Sequence, residues 1–272
     1  MILVTGATGN AGGALVRTLA EQGAEVRALV RHEVELPAEL ALGDLNDPES
    51  VAAALSGVRG VFLLSGYDRM DETLAALKAA GVEHVVLLSA SAAEARDLDN
   101  PISGYHVRSE ALVRESGVPW TVLRPRTFMS NTLQWADQVR SGDVVRAAFP
   151  EVAVATVDPL DIAAVAAAAL LGEGHDQRVY PLTGPESLRP ADRVRILGEA
   201  LGRELRFEGL TDEQARAEMS AGMPEAYVDA FFGFFVRGEL DESAVLPTVA
   251  EVTGRPPRGF ADWAAANADA FR

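Results

Sequence analysis

Short, almost unbroken apolar runs alternate along the first half of this chain with segments whose apolar residues recur at helical spacing. Ile2-Leu3-Val4 opens as a strand, and Leu15, Val16 and Leu19 give an amphipathic helix over roughly 11–22. Further strands are expected at Glu25–Val30, Ala38–Leu42, Val61–Ser65, Val85–Ser89 and Trp120–Arg124. Helices fall between them: one started by an Asp47 cap with Pro48 in its first turn, one over about 69–80, one over about 103–116. Apolar runs this continuous suit strands buried on both faces, and their alternation with helices predicts a parallel, doubly wound α/β sheet. After Arg124 the rhythm breaks. A polar-aromatic stretch, Arg124-Pro125-Arg126-Thr127-Phe128-Met129-Ser130-Asn131, leads into a helix, and helices dominate from 159 onward. The expected division is a core domain over 1–150 and a smaller, mainly helical lobe over 151–272. The two interleave, because a strand at Arg178–Thr183 is expected to return to the sheet.

The first strand runs straight into Gly6-Ala7-Thr8-Gly9-Asn10-Ala11-Gly12, three glycines spaced by threes before a helix. Gly6 suits a sharp exit from the strand, Gly9 lets backbone approach a phosphate, and Gly12 lets the helix pack close to the sheet. N–H groups at the helix start, with its positive dipole end, then face an anion. This is the pattern of a Rossmann-type dinucleotide site. The second strand ends at Arg31, followed by His32, where an NAD-selective site carries Asp or Glu. A guanidinium there pairs with a 2′-phosphate, so NADP(H) is expected over NAD(H).

Composition narrows the function. A formal charge of −16, from 40 acidic against 24 basic residues, argues against nucleic acid and anionic membranes as partners. With no cysteine, thiolate catalysis, disulfides and Cys-based zinc sites are excluded. The four histidines, 32, 84, 106 and 175, lack metal-ligand spacing, so no metal site is expected. The longest apolar run, Ile162 to Leu171, is too short to span a bilayer, and no leader pattern precedes the first strand, so a soluble cytoplasmic protein is expected.

The chain resembles the NmrA-like branch of the atypical short-chain dehydrogenase/reductases, which includes NADPH-dependent quinone reductases and triphenylmethane reductase relatives. The likeness runs over nearly the whole length. It rests on Thr5 to Gly12, Gly43-Asp44-Leu45, His106-Val107-Arg108-Ser109-Glu110, Ser116 to Pro125, Leu182-Thr183-Gly184-Pro185 and Thr253-Gly254-Arg255-Pro256-Pro257. The resemblance implies pyrophosphate on Thr8 to Ala11, the adenine edge near Asp44 and Leu45, and the adenosine ribose side near Leu64, Ser65 and Gly66. It also implies the nicotinamide beside Ser89-Ala90-Ser91, with Tyr105 and His106 nearby.

Typical short-chain reductases lower the pKa of a tyrosine with a lysine four residues on, but here Tyr105 is followed at that spacing by Ser109. An unassisted phenol titrates at about 10, so Tyr105 is a proton donor at neutral pH and a feeble base. Alcohol oxidation is therefore disfavoured. Reduction of a flat acceptor that delocalises negative charge, such as a quinone or a secondary-metabolite intermediate, needs less acid assistance. His106 is the other candidate donor, expected to titrate near neutrality, with Glu110 one turn on to orient it. Arg126, Phe128, Met129 and Asn131 are the substrate candidates; the Phe231 to Phe235 cluster reads first as core. The leading function is hydride transfer from NADPH to a small organic acceptor. Two alternatives stay open: a non-catalytic dinucleotide-binding redox sensor, and a redox-neutral isomerase or cyclase. A homodimer is left open, and a protein partner is expected only under the sensor reading.

Overall fold

The first strand, β1 (Ile2–Val4), is buried along its whole length, with partners on both sides. In this computed structural model, which describes all 272 residues, the chain continues as α1 (Asn10–Glu21), β2 (Val26–Val30), β3 (Glu39–Leu42), α2 (Pro48–Ala53) and β4 (Gly60–Leu64). Then come α3 (Met70–Ala79), β5 (His84–Leu88), α4 (Pro101–Glu115), β6 (Trp120–Pro125), α5 (Ala136–Ser141) and β7 (Val144–Ala147). The remainder is α6 (Pro159–Leu171), β8 (Arg178–Leu182), α7 (Pro190–Leu201), β9 (Arg206–Gly209), α8 (Asp212–Ser220), α9 (Glu225–Phe235), α10 (Thr248–Thr253) and α11 (Phe260–Ala266).

Seven strands form one sheet in the order β3-β2-β1-β4-β5-β6-β8. The pairs β1–β2, β1–β4, β2–β3, β4–β5 and β5–β6 are all parallel, with Val4 level with Ala28 and with Phe62. The order reverses between β1 and β4, the crevice where ligands sit in open α/β sheets. This is the doubly wound class that the apolar runs predict. Asp47 caps α2 as its sequence suggests, accepting the Glu49 N–H ahead of Pro48 in the first turn.

The chain forms two compact units. The first comprises 1–98, 103–125 and 159–181; the second comprises 99–102, 126–158 and 182–272. A cut at residue 150 thus separates neither unit completely, since α6 and most of β8 lie in the first. Alanine-rich α6, apolar on nearly every face, packs along α1. On one face of the first unit's sheet, Leu3, Val61, Leu63, Val85 and Leu87 pack with Leu74, Leu77 and Val113 from the helices. Each such fully buried aliphatic side chain contributes about 1.5–3 kcal/mol.

The second unit has its own core of Met129, Trp135, Val145, Leu197, Phe260, Trp263 and Phe271. It also holds a small parallel sheet, β7 with β9, that the sequence does not predict. Both strands have four residues and carry exposed charges at Arg146, Arg206 and Glu208, so neither shows the apolar run or clean alternation that marks the others. No helix is long and apolar enough to cross a membrane.

Candidate functional site

The turn after β1 is built on backbone that only glycine supplies. Gly6 has φ +60°, and a Cβ there would lie 2.5 Å from Leu64 Cδ1. At Gly12 a Cβ would lie 2.2 Å from the Gly6 carbonyl oxygen, so α1 approaches the turn too closely for any side chain. Gly9 N–H donates to Gly6 O at 2.9 Å and closes the loop. Gly9 is also the N-cap of α1, with no side chain satisfying the helix start and no acid in the first turn. Thr8, Gly9 and Asn10 are exposed, while Ala11 and Gly12 are buried. A twelve-residue helix whose open N–H groups face solvent beside a glycine turn fits a dinucleotide pyrophosphate. Thr5, not singled out by its type, braces this turn: its hydroxyl donates to Phe62 O at 2.9 Å and accepts the Leu64 N–H at 3.1 Å, tying β1 to β4.

Beyond β2, Arg31 is exposed. Asp44 accepts both the backbone and side-chain N–H of Asn46, at 2.8 and 3.0 Å, so its carboxylate shapes a turn, and Leu45 behind it is buried. Partial burial raises the Tyr67 phenol above its ordinary value, Asp44 adds to the rise and Arg31 opposes it. Arg31 and Asp44 therefore act on the same short stretch after β4.

The ends of β4 and β5 meet α4. Gly66, at φ +92°, lies against the Tyr105 ring: a Cβ there would be 3.0 Å from ring carbon Cδ2. Gly66 N–H donates to the Ser109 hydroxyl at 3.0 Å, so the residue standing where the lysine is missing holds the loop instead. Ser65 Oγ and His106 Nδ1 are 2.9 Å apart, and the Tyr105 and His106 rings are 4.1 Å apart.

Two expectations about His106 are corrected. Burial pushes its imidazole down to about 4, against an upward pull from Glu110, so the ring is neutral at pH 7 and supplies no imidazolium. Nor does Glu110 orient it: the Nδ1 partner is Ser65. Glu110, 1% exposed, instead accepts from Ser89 at 2.7 Å, from Arg124 Nε and Nη2 at 2.8 and 2.7 Å, and from Arg114 at 2.7 Å. Burial pushes this carboxyl up, but the Arg124, Ser89 and Arg114 bonds outweigh it and hold it below the usual range. The Ser89 hydroxyl is thus committed to the network, and Ser91 is buried at the start of a 3₁₀ turn after Ala90. The sequence offered a signal for Arg114, four residues from Glu110, but none for the bidentate Arg124 fork.

The depressed imidazole has a consequence for stability. The unfolded histidine takes a proton below its ordinary value of about 6.5 while the native ring stays neutral to about 4, so its contribution is intact above pH 6.5 and drains away as pH falls toward 4. The full loss is roughly 3 kcal/mol. Thermal unfolding at pH 7 and pH 4.5 should show His106→Gln losing distinctly less stability than the parent; parallel falls would refute the assignment.

The substrate candidates scatter. Arg126 is buried, Phe128 is half-buried, and Met129 is wholly buried in the second unit's core. Asn131 is exposed and lines a cavity of 640 Å³ within the second unit, together with Phe231 and Phe235.

A family described as NAD(P)H-binding matches residues 6–178, from the first glycine of the turn to the start of β8. The chain belongs to the NAD(P)H-binding, NmrA-like family. Within it, the chain is 45% identical over its whole length, and 99% of the relative's, to a (4-alkanoyl-5-oxo-2,5-dihydrofuran-3-yl)methyl phosphate reductase of Streptomyces griseus. It is 39% identical, with the same coverage, to an NAD(P)H azoreductase of Xenophilus azovorans. An NADPH-dependent quinone oxidoreductase of Escherichia coli has the same fold, with a TM-score of 0.81 over 98% of this chain and 99% of its own, at 24% identity. Full-length relatives named as reductases support the leading reading of this chain, an NAD(P)H-dependent reductase of a small acceptor.

Proposed function

We propose that this NmrA-like reductase uses NADPH in preference to NADH and reduces a flat, conjugated acceptor whose anion is stabilised by delocalisation, an unsaturated lactone or a quinone. The observation that carries the reading is the setting of Tyr105. Its ring rests on Gly66, and the place of an activating lysine is taken by Ser109, whose hydroxyl is engaged by the Gly66 N–H. With serine rather than lysine at the fourth position on, Tyr105 lacks the residue that makes the tyrosine of a typical short-chain reductase a base, which favours proton donation to a product anion over alcohol oxidation. The 45% identical relative, named for an unsaturated lactone phosphate, supports the lactone class.

The bound nicotinamide nucleotide supplies the hydride. The chain does the rest: the open N–H groups at the start of α1 hold the pyrophosphate, and Arg31 pairs with the 2′-phosphate. Leu64, Ser65 and Gly66 border the ribose, Ser89 to Ser91 the nicotinamide, and Tyr105 delivers the proton. His106 is a positioning residue, a neutral ring hydrogen-bonded to Ser65 and lying tilted against the Tyr105 ring. Position and polarity, rather than a tuned acid, carry the catalysis.

Oxidation of NADPH and NADH, followed at the nicotinamide absorbance with a butenolide and a quinone as acceptors, tests this. NADPH should be preferred, and Arg31→Asp should reverse the preference, since a carboxylate repels a 2′-phosphate and accepts from a ribose hydroxyl. An unchanged ratio of the two kcat/KM values in the variant would remove Arg31 from the site, and turnover of neither acceptor would remove the conjugated-acceptor class.

A further inference from the structure

The 640 Å³ cavity of the second unit contains a cation with no counter-ion. Its charged lining residues are Arg146, Glu218 and Arg193. Arg146 is satisfied, paired with Glu208 at 3.1 Å and Glu218 at 3.0 Å. Arg193 is not. It is 9% exposed, its Nε is buried with no hydrogen-bond partner, and its side chain forms no ion pair. Its one marked interaction is with the Trp135 ring, 5.1 Å from the guanidinium carbon to the ring centre. It lies on the inward stripe of α7 with Pro190, Val194 and Leu197, a position normally apolar. Desolvation lowers its pKa to about 10, which still leaves it charged at neutral pH. An unpaired buried charge is costly, and such groups are found paired or serving a ligand.

The rest of the lining says what that ligand carries. Trp135, Phe149, Met219, Phe231 and Phe235 offer aromatic and thioether surface to a flat or chain-like apolar body. The volume falls in the range of about 300–1,000 Å³ typical of small-molecule sites. We propose that this cavity is a binding site for an organic anion, a carboxylate or phosphate monoester on an apolar body, with Arg193 as the counter-ion and the aromatic wall as the seat for the body. A planar guanidinium matches either oxyanion through paired hydrogen bonds. The site is built wholly from the second unit and takes in Asn131 of the substrate candidates, but none of the residues assigned to the nicotinamide nucleotide.

Calorimetric titration of the full chain with 1-naphthyl phosphate, 1-naphthoate, neutral 1-naphthol and inorganic phosphate tests it without recourse to turnover. The two naphthyl anions should bind at least about tenfold more tightly than naphthol, the size expected of a charge-assisted hydrogen bond, and inorganic phosphate should bind weakly for want of the apolar body. Whichever anion binds more tightly identifies the ligand as phosphate ester or carboxylate. Arg193→Met should abolish the preference for anions, and Arg193→Lys should retain part of it. Phe231→Ala should weaken all three naphthyl compounds alike while leaving the preference in place, which separates a lost anion contact from a damaged fold. Equal affinity for naphthol and the anions, or an anion preference that survives Arg193→Met, would overturn the assignment.

Discussion

Glu110→Ala should destabilise the protein by about 3 kcal/mol, the low end for removing one member of a buried ion pair. The carboxylate is buried and receives four hydrogen bonds, and its loss leaves the Arg124 fork, only 21% exposed, without an anion and the Ser89 hydroxyl without an acceptor. For a chain of this size that is a fall in melting temperature of roughly 6–12 °C. Arg114→Met is the comparison: its side chain is 37% exposed, so water replaces the lost contact and the cost should stay below about 1 kcal/mol. Melting curves of the two variants decide it, and equal shifts would mean that the network contributes no more than a surface pair. The network also has a direction in pH. Because the native Glu110 carboxyl is held below its ordinary range, its contribution is complete above the unfolded value of about 4.5 and disappears as pH falls through the native one.

Gly12→Ala should cost dinucleotide affinity on the order of 100-fold, equivalent to roughly 2.7 kcal/mol. The added methyl would sit 2.2 Å from the Gly6 carbonyl oxygen and 2.7 Å from its carbon, and both are backbone atoms that no rotamer change can move. Relief comes only by shifting α1 away from the turn, which disperses the N–H groups that must converge on the pyrophosphate. Gly13→Ala is the control. There the new carbon would be 3.1 Å from Ala7 O, a tight contact that a few tenths of an ångström relieves, so binding should weaken far less. Titration of both variants with NADPH reads the difference, and comparable affinities would mean that close helix approach is not what organises the loop.

The sheet was legible because strands such as Gly60–Leu64 and His84–Leu88 are buried on both faces and so read as apolar runs. The glycine turn was legible because three residues of one type, at fixed spacing, mark backbone constraints. Side-chain partnerships were much less so. Helical spacing suggested that Glu110 would reach His106, yet Glu110 turns toward Arg124 on β6, and His106 finds Ser65, forty-one positions earlier. Both contacts depend on which strand ends adjoin α4, a property of the assembled sheet. The same ignorance of burial made His106 look like a neutral-pH acid. The β7–β9 pair escaped notice because its strands are short and half-exposed, with tertiary position rather than pattern dictating their conformation. Arg193 escaped too, since an arginine within an amphipathic helix ordinarily reads as solvated.

The packing of α6 against α1 has a temporal side. The glycine turn lies within the first dozen residues to be synthesised, but the helix that packs along α1 begins only at Pro159. For more than half of synthesis, α1 has an apolar flank with no cover, and the outermost strand, β8, arrives later still. Contacts this distant in sequence carry a loop-closure cost, and the α1–α6 packing and the β8 edge cannot both form before the chain has passed Leu182. A helix made first thus waits for its partner until late in synthesis, and a chain stopped short of α6 would carry the glycine turn and α1 without that partner.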